Sequence, residues 1–175
     1  MITEKLTTGL AILFVGFNPS PMSHARGFNY AGRNNRFYRI LAAAGLTDRY
    51  YAPEESVCFP NRFGYGFTNI VARPTARAEE LTQAEYDEGR QVLYEKLEKY
   101  RPQVACYVGK GVYQQFSKRK QVPWRMQEES VVRGVWDFVA PSSSGLVRMT
   151  LAEQVEIYRD LLAYKIQNPT SFRAD

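Results

Sequence analysis

Four short, near-continuous apolar runs constrain the fold of this 175-residue chain more than any other feature. They cover residues 11–17, 67–71, 103–108 and 135–140, are rich in β-branched and aromatic side chains, and are bounded by polar, Gly or Pro residues. Runs of this kind read as strands buried on both faces, which belong to parallel sheets covered by helices. Helical signals fall between them. Asn34 or Asn35 can cap a helix carrying Phe37, Ile40, Leu41 and Ala44 at 3–4 residue spacing, stopped at Gly45. Thr82 and Glu85 form a capping box ahead of a helix to about Tyr100, which must end before Pro102 because pre-proline sterics disfavour the helical backbone. Gly109-Lys110-Gly111 turns the third run into a short helix ending near Phe116. Thr150 and Glu153 repeat the box, and Leu151, Val155, Tyr158, Leu161 and Leu162 stripe one final helix. Residues 46–66 read as irregular loop, and the polar tail from Ile166 as frayed. The alternation predicts an α/β fold: a three-layer α/β/α sandwich with a central, mainly parallel sheet of four to five strands. No linker, repeat or low-complexity stretch interrupts it. One domain is expected over residues 1–175, with its core from about 10 to 165.

An apolar content of 45 % suffices for one substantial core. The 23 basic and 18 acidic side chains leave a net charge of +5, compatible with a polyanionic partner without specifying one. Cys58 and Cys106 stand far apart, and nothing has zinc or iron–sulfur spacing, so neither metal nor cofactor is expected. The N-terminus lacks the basic start and apolar stretch of a signal peptide, and no run is long enough to span a bilayer. The expectation is a reduced, cytoplasmic monomer away from membranes, nucleoid-associated in a bacterium.

Two loops carry the chemistry. Gly16-Phe17-Asn18-Pro19-Ser20-Pro21 follows the first run, and Pro141-Ser142-Ser143-Ser144-Gly145-Leu146-Val147-Arg148 follows the fourth. In an open α/β sheet ligands bind outside the carboxyl ends of the strands, so these loops can face one another across one cleft. Taken with Gly27-Phe28-Asn29-Tyr30-Ala31, Asn35-Arg36-Phe37-Tyr38, Phe67-Thr68-Asn69-Ile70-Val71, Arg73-Pro74-Thr75, and Gly109-Lys110 with Tyr113, they resemble the mismatch-specific uracil/thymine-DNA glycosylases. The likeness runs from about Leu10 to Leu162.

The resemblance implies specific roles. Asn18 positions the water that attacks the anomeric carbon. An amide takes no proton near neutral pH, so its carbonyl oxygen can orient water without acting as a general base. Cleavage passes through an oxocarbenium-like state, and uracil can depart as a stabilised anion, so a slow enzyme without a carboxylate base is expected. Gly16, Phe17, Tyr30, Asn69 and Ser142 form the base pocket, with Tyr30 as stacking wall and Asn69 offering a donor and an acceptor to the uracil edge. Some relatives carry an asparagine where Ser142 stands. Leu146 is the wedge that fills the hole left by the extruded base, Gly145 lets backbone approach the orphaned partner, and Arg148 adds a phosphate or wedge contact. Ser20, Ser143, Ser144 and Lys110 contact phosphates. No lysine in these motifs is placed as a Schiff-base nucleophile, which implies a monofunctional enzyme. The implied partner is double-stranded DNA containing G:U or G:T mismatches. Ala72 stands where an acidic residue is often found, and whether Glu79, Glu80 or Asp87 compensates stays open.

Plainer readings compete. Asn18-Pro19 is also a strand-ending turn, Tyr30 a core tyrosine, and a Ser/Gly-rich loop a simple connection. At the level of function the alternatives are a nucleoside or nucleotide N-glycoside hydrolase, for which a wedge has no purpose, and a non-catalytic binder of mismatched DNA.

Overall fold

The computed structural model describes residues 1–167; Ile166 and Gln167, the start of the expected frayed tail, are helical instead, and the rest of that tail lies outside the described residues. Strands β1 (Ile12–Gly16), β2 (Tyr65–Asn69), β3 (Val104–Val108), β4 (Arg125–Met126) and β5 (Trp136–Ala140) form one sheet in the order β2-β1-β3-β5-β4. The pairs β1–β2, β1–β3 and β3–β5 are parallel, and β4 is antiparallel to β5. The expected fold class is the one observed.

Period-2 alternation along each strand feeds two cores. Ile12, Phe14, Tyr65, Phe67, Cys106 and Phe138 pack on one face with Phe37, Tyr158 and Leu161 from the helices α2 (Phe37–Ala43), α6 (Leu151–Arg159) and α7 (Leu161–Gln167). Leu13, Val15, Ala105, Tyr107 and Val139 pack on the other with Leu93, Leu97, Val112 and Phe116 from α4 (Gln83–Tyr100) and α5 (Lys110–Ser117). Burial on both sides is why the runs are continuous rather than alternating.

Several elements differ from expectation. Strand β2 begins at Tyr65 and ends at Asn69, two residues earlier than its apolar run. Gly66 disguised its start: a Cβ there would collide with the Lys5 carbonyl oxygen, so the glycine marks close backbone approach rather than a turn. Residues 53–58 form a 3-10 helix followed by α3 (Phe59–Arg62), in a segment expected to be irregular. Ser20 caps a further short helix, α1 (Pro21–Arg26), its hydroxyl accepting from Ser23 N at 3.1 Å, with Pro21 at the favoured first position. The final helix is two, α6 and α7, divided at Asp160.

The chain leaves β1 for β2 on one side and returns to β3 on the other. The β1–β3 boundary is therefore a topological switch point, and a crevice opens at the carboxyl ends of the strands.

Candidate active site

A cavity of about 190 Å³ occupies that crevice. Gly16, Phe17, Asn18 and Pro19 enter it from the end of β1, Asn69 from the end of β2, Val108 from the end of β3, and Ser142, Ser143 and Ser144 from the loop after β5. Ser20, Ser23, Asn29, Tyr30, Asn35 and Thr75 complete the polar lining. The structure thus gathers nine of the expected residues at one place: Gly16, Phe17, Asn18, Ser20, Tyr30, Asn69, Ser142, Ser143 and Ser144.

The orientation of Asn18 follows from its partners. Its Nδ2 donates to the Arg73 carbonyl oxygen at 2.8 Å and to Thr75 Oγ1 at 2.7 Å. The Thr75 hydroxyl spends its own hydrogen on the Arg77 carbonyl at 2.7 Å, so it presents only a lone pair to Asn18. Both partners therefore demand the NH2 end. Oδ1 is left as a free acceptor among the described hydrogen bonds.

Arg73 is itself held by Glu85, at 2.5 and 3.0 Å, and by the Glu80 carbonyl at 3.1 Å. The Arg73 guanidinium, then the Thr82 backbone N–H, pull the Glu85 carboxyl down to about 2. A folded-state pKa below the unfolded one gives stabilisation present above the ordinary value of 4.5 and lost as pH falls toward 2. Glu85→Gln should therefore flatten the fall in Tm across that window, measured by thermal denaturation at stepped pH. Asp137, whose carboxyl burial raises, works in the opposite sense in both proteins and cancels from the comparison.

Tyr30 adopts φ 54°, in the left-handed region, and its ring stacks on Phe37 with centroids 4.1 Å apart. One face of the ring is therefore already taken. A Cβ on Gly16 would sit 2.7 Å from Asn69 Oδ1 and 3.1 Å from the Tyr30 hydroxyl, so glycine is what lets both groups approach the strand end. Burial pushes the Tyr30 hydroxyl well up, keeping it a protonated donor. Tyr30 OH, Asn29 Oδ1 and Ser143 Oγ are buried without hydrogen-bond partners among the described residues. Each such group costs about 1–3 kcal/mol when unpaired. Three around one cavity mark a place that a polar ligand completes.

The loop after β5 is clamped from two directions. Arg36 N donates to the Ser143 carbonyl at 2.8 Å, and Gln154 Nε2 donates to the Ser142 carbonyl at 2.8 Å. Arg36 Nη1 reaches the Met149 carbonyl at 3.0 Å and Gln154 Oε1 at 3.2 Å, while Gln154 is fully buried. Gly145 lies so close to Asn34 that a Cβ would stand 2.6 Å from its carbonyl oxygen. Beyond it, Leu146 is 95 % exposed and Arg148 is exposed. Gly145, Leu146 and Arg148 form no part of the lining; they follow it directly in the chain.

Two expected phosphate ligands are otherwise engaged. The Lys110 ammonium lies over the Trp124 ring, 4.2 Å from its centroid, outside the cavity. The Ser20 hydroxyl donates to Ser23 Oγ at 3.1 Å while capping α1.

The sequence carried no individual assignment for Arg36, Thr75 or Gln154. Arg36 and Thr75 stood within the motifs quoted above. Gln154, mid-helix in α6, carried no signal.

A model of the Uracil DNA glycosylase superfamily matches residues 5–162. The chain belongs to that superfamily. Membership supports a DNA glycosylase: a hydrolase of DNA base-excision repair that acts on uracil. Among the described residues no carboxylate and no lysine lines the cavity, and Glu79, Glu80 and Asp87 lie outside it. Among the described residues no group of three or more His, Cys, Asp or Glu could hold a metal ion. No helix among them is long and apolar enough to cross a membrane.

Proposed function

We propose that this glycosylase excises uracil and thymine mispaired with guanine from duplex DNA, leaving an abasic site without cutting the strand. The observation that carries this reading is the free Oδ1 of Asn18, fixed at the mouth of β1 in a cavity with three unpartnered polar atoms. Oδ1 accepts a hydrogen from a water, whose lone pair then faces the anomeric carbon. As the glycosidic bond breaks, its electron pair passes to the base, which leaves as an anion stabilised over its carbonyl oxygens. The attacking water loses its proton to solvent. Asn69, Asn29, Tyr30 and Ser143 offer donors and acceptors to the base edge.

Leu146 enters the helix where the base has left, and Gly145 brings backbone close to the orphaned guanine. Arg148, Ser144, Ser20 and Lys110 are assigned to phosphates, whereas Ser143, expected there too, is buried in the cavity and is given to the base. For Lys110 this requires the ammonium to leave Trp124. No cavity-lining lysine is available for a Schiff base among the described residues, which favours monofunctional hydrolysis. Cavity, wedge and clamp all come from one chain, so a single copy suffices for each lesion.

The test uses duplexes with uracil or thymine opposite guanine, uracil opposite adenine, and single-stranded uracil, assayed for breaks before and after hot alkali. Alkali-dependent breaks concentrated in the guanine-paired substrates are expected. Equal processing of uracil opposite adenine would remove the mismatch assignment, and tight binding with no release would leave a binder. The single-turnover rate should also be flat from about pH 6 to pH 9, because no carboxylate or imidazole among the described residues lines the cavity and burial pushes the Tyr30 hydroxyl well above its ordinary value. A bell-shaped profile would reveal a titrating acid or base.

A further inference from the structure

The first residues of the chain lie against the site, although no sequence motif includes them. Lys5 forms an antiparallel bridge to Phe67 on the open edge of β2, its N–H donating at 3.3 Å and its carbonyl accepting at 3.2 Å. One residue earlier, the Glu4 carboxylate accepts from the Lys96 ammonium at 2.6 Å and from the Thr68 hydroxyl. This strap carries Ile2 to the cavity wall.

Ile2 also lines a second hollow of about 470 Å³, bordered by Val71, Gly89, Val92 and Lys96. Four residues are common to the two hollows: Ile2, Pro19, Asn29 and Asn69. Three of them are built into the fold. Pro19 accepts from Thr75 N at 3.2 Å, Asn29 is buried, and Asn69 ends β2. Ile2 comes from the strap.

Chemistry narrows what the second hollow can receive. Lys96, the one lysine or arginine among its described lining residues, is paired with Glu4, and Glu88 adds an acidic group, so the hollow offers a phosphodiester backbone no free cation of that kind. Val71, Val92 and Ile70 suit a flat, neutral group instead. Asn29 and Asn69 mark the boundary, and their amides are matched to the hydrogen-bonding edge of an extruded base. A ring fused across that edge would continue past them into the second hollow.

We propose that Ile2 is a specificity-determining partition between the two hollows, limiting entry of pyrimidines that carry a ring fused on their hydrogen-bonding edge; this rests on the base-excision reading above. The strap makes the partition, since pairing at Lys5 and the Glu4 contacts hold Ile2 in place.

The test compares initial release rates for the unaltered protein, Ile2→Ala, Ile2→Leu and Ile2→Trp. The substrates are duplexes with uracil, 5-bromouracil or 3,N4-ethenocytosine opposite guanine. Ile2→Ala should raise the ethenocytosine-to-uracil ratio about tenfold, the scale on which small changes in apolar pocket volume discriminate substrates, and Ile2→Trp should lower it similarly. Ile2→Leu should keep the original ratio. The 5-bromouracil-to-uracil ratio should hold in all variants, because bromine sits on the other edge of the ring. An ethenocytosine ratio that stays within about twofold in both Ile2→Ala and Ile2→Trp overturns the partition and leaves the functional reading standing. An equal shift for 5-bromouracil overturns it too. Failure of the unaltered protein to release uracil from any duplex overturns the base-excision reading itself, and the partition with it.

Discussion

Asn18→Ala is expected to lower single-turnover uracil release from a G:U duplex by about a hundredfold, the scale of loss when a reacting group is no longer held in position. Folding should be unaffected, because the lost contacts join two loops at the crevice and not the core. Near-normal release would reject the assignment. Thr75→Val is the informative companion. It keeps the shape of the threonine but removes the oxygen that accepts from Asn18 Nδ2 at 2.7 Å. The amide then keeps one anchor, the Arg73 carbonyl, and the rate should fall less than in Asn18→Ala. A Thr75→Val loss equal to that of Asn18→Ala would mean that the orientation depends wholly on the hydroxyl.

Leu146→Ala should have the second largest effect, and one that depends on the substrate. Unstacking a base costs a few kcal/mol, and an inserted apolar side chain offsets part of it. Losing the isobutyl group should therefore slow release from paired lesions about ten- to a hundredfold. Single-stranded uracil presents no stack to refill, and its release should fall far less. Side-by-side rates on duplex and single-stranded uracil decide the matter; equal losses would sink the wedge role. The 95 % exposure of Leu146 fits a side chain that earns nothing from the free protein's own core.

The parts of the fold visible in the sequence were those with local causes. Strands buried on both faces spelled themselves out as apolar runs, and the Thr82 and Thr150 capping boxes announced α4 and α6, with both reciprocal bonds in place. What escaped depended on distant partners. Strand β4 is two residues long and exists through its pairing with Phe138 and Val139. Gly66 looked like punctuation because its purpose, room for Lys5, lies sixty-one positions away. The site divides in the same way. Asn18 and the serine loop were legible from motif and order, whereas the use of the Arg73 and Thr75 oxygens to turn the Asn18 amide was not. Lys110 stood in a sequence context suited to phosphate, yet Trp124, fourteen residues on, takes its ammonium. Gln154 could not have been singled out, because a glutamine within a helix is ordinary until the Ser142 carbonyl arrives beside it.

The clamp through Gln154 has a temporal side. Translation delivers β1 and β2 early and α6 late, and domains fold as units as the chain emerges. A nascent polypeptide that has not yet released α6 holds the loop after β5 through Arg36 alone of these two clamps. If Leu146 is the wedge, its loop gains its second brace only at a late stage of synthesis, after most of the sheet has formed.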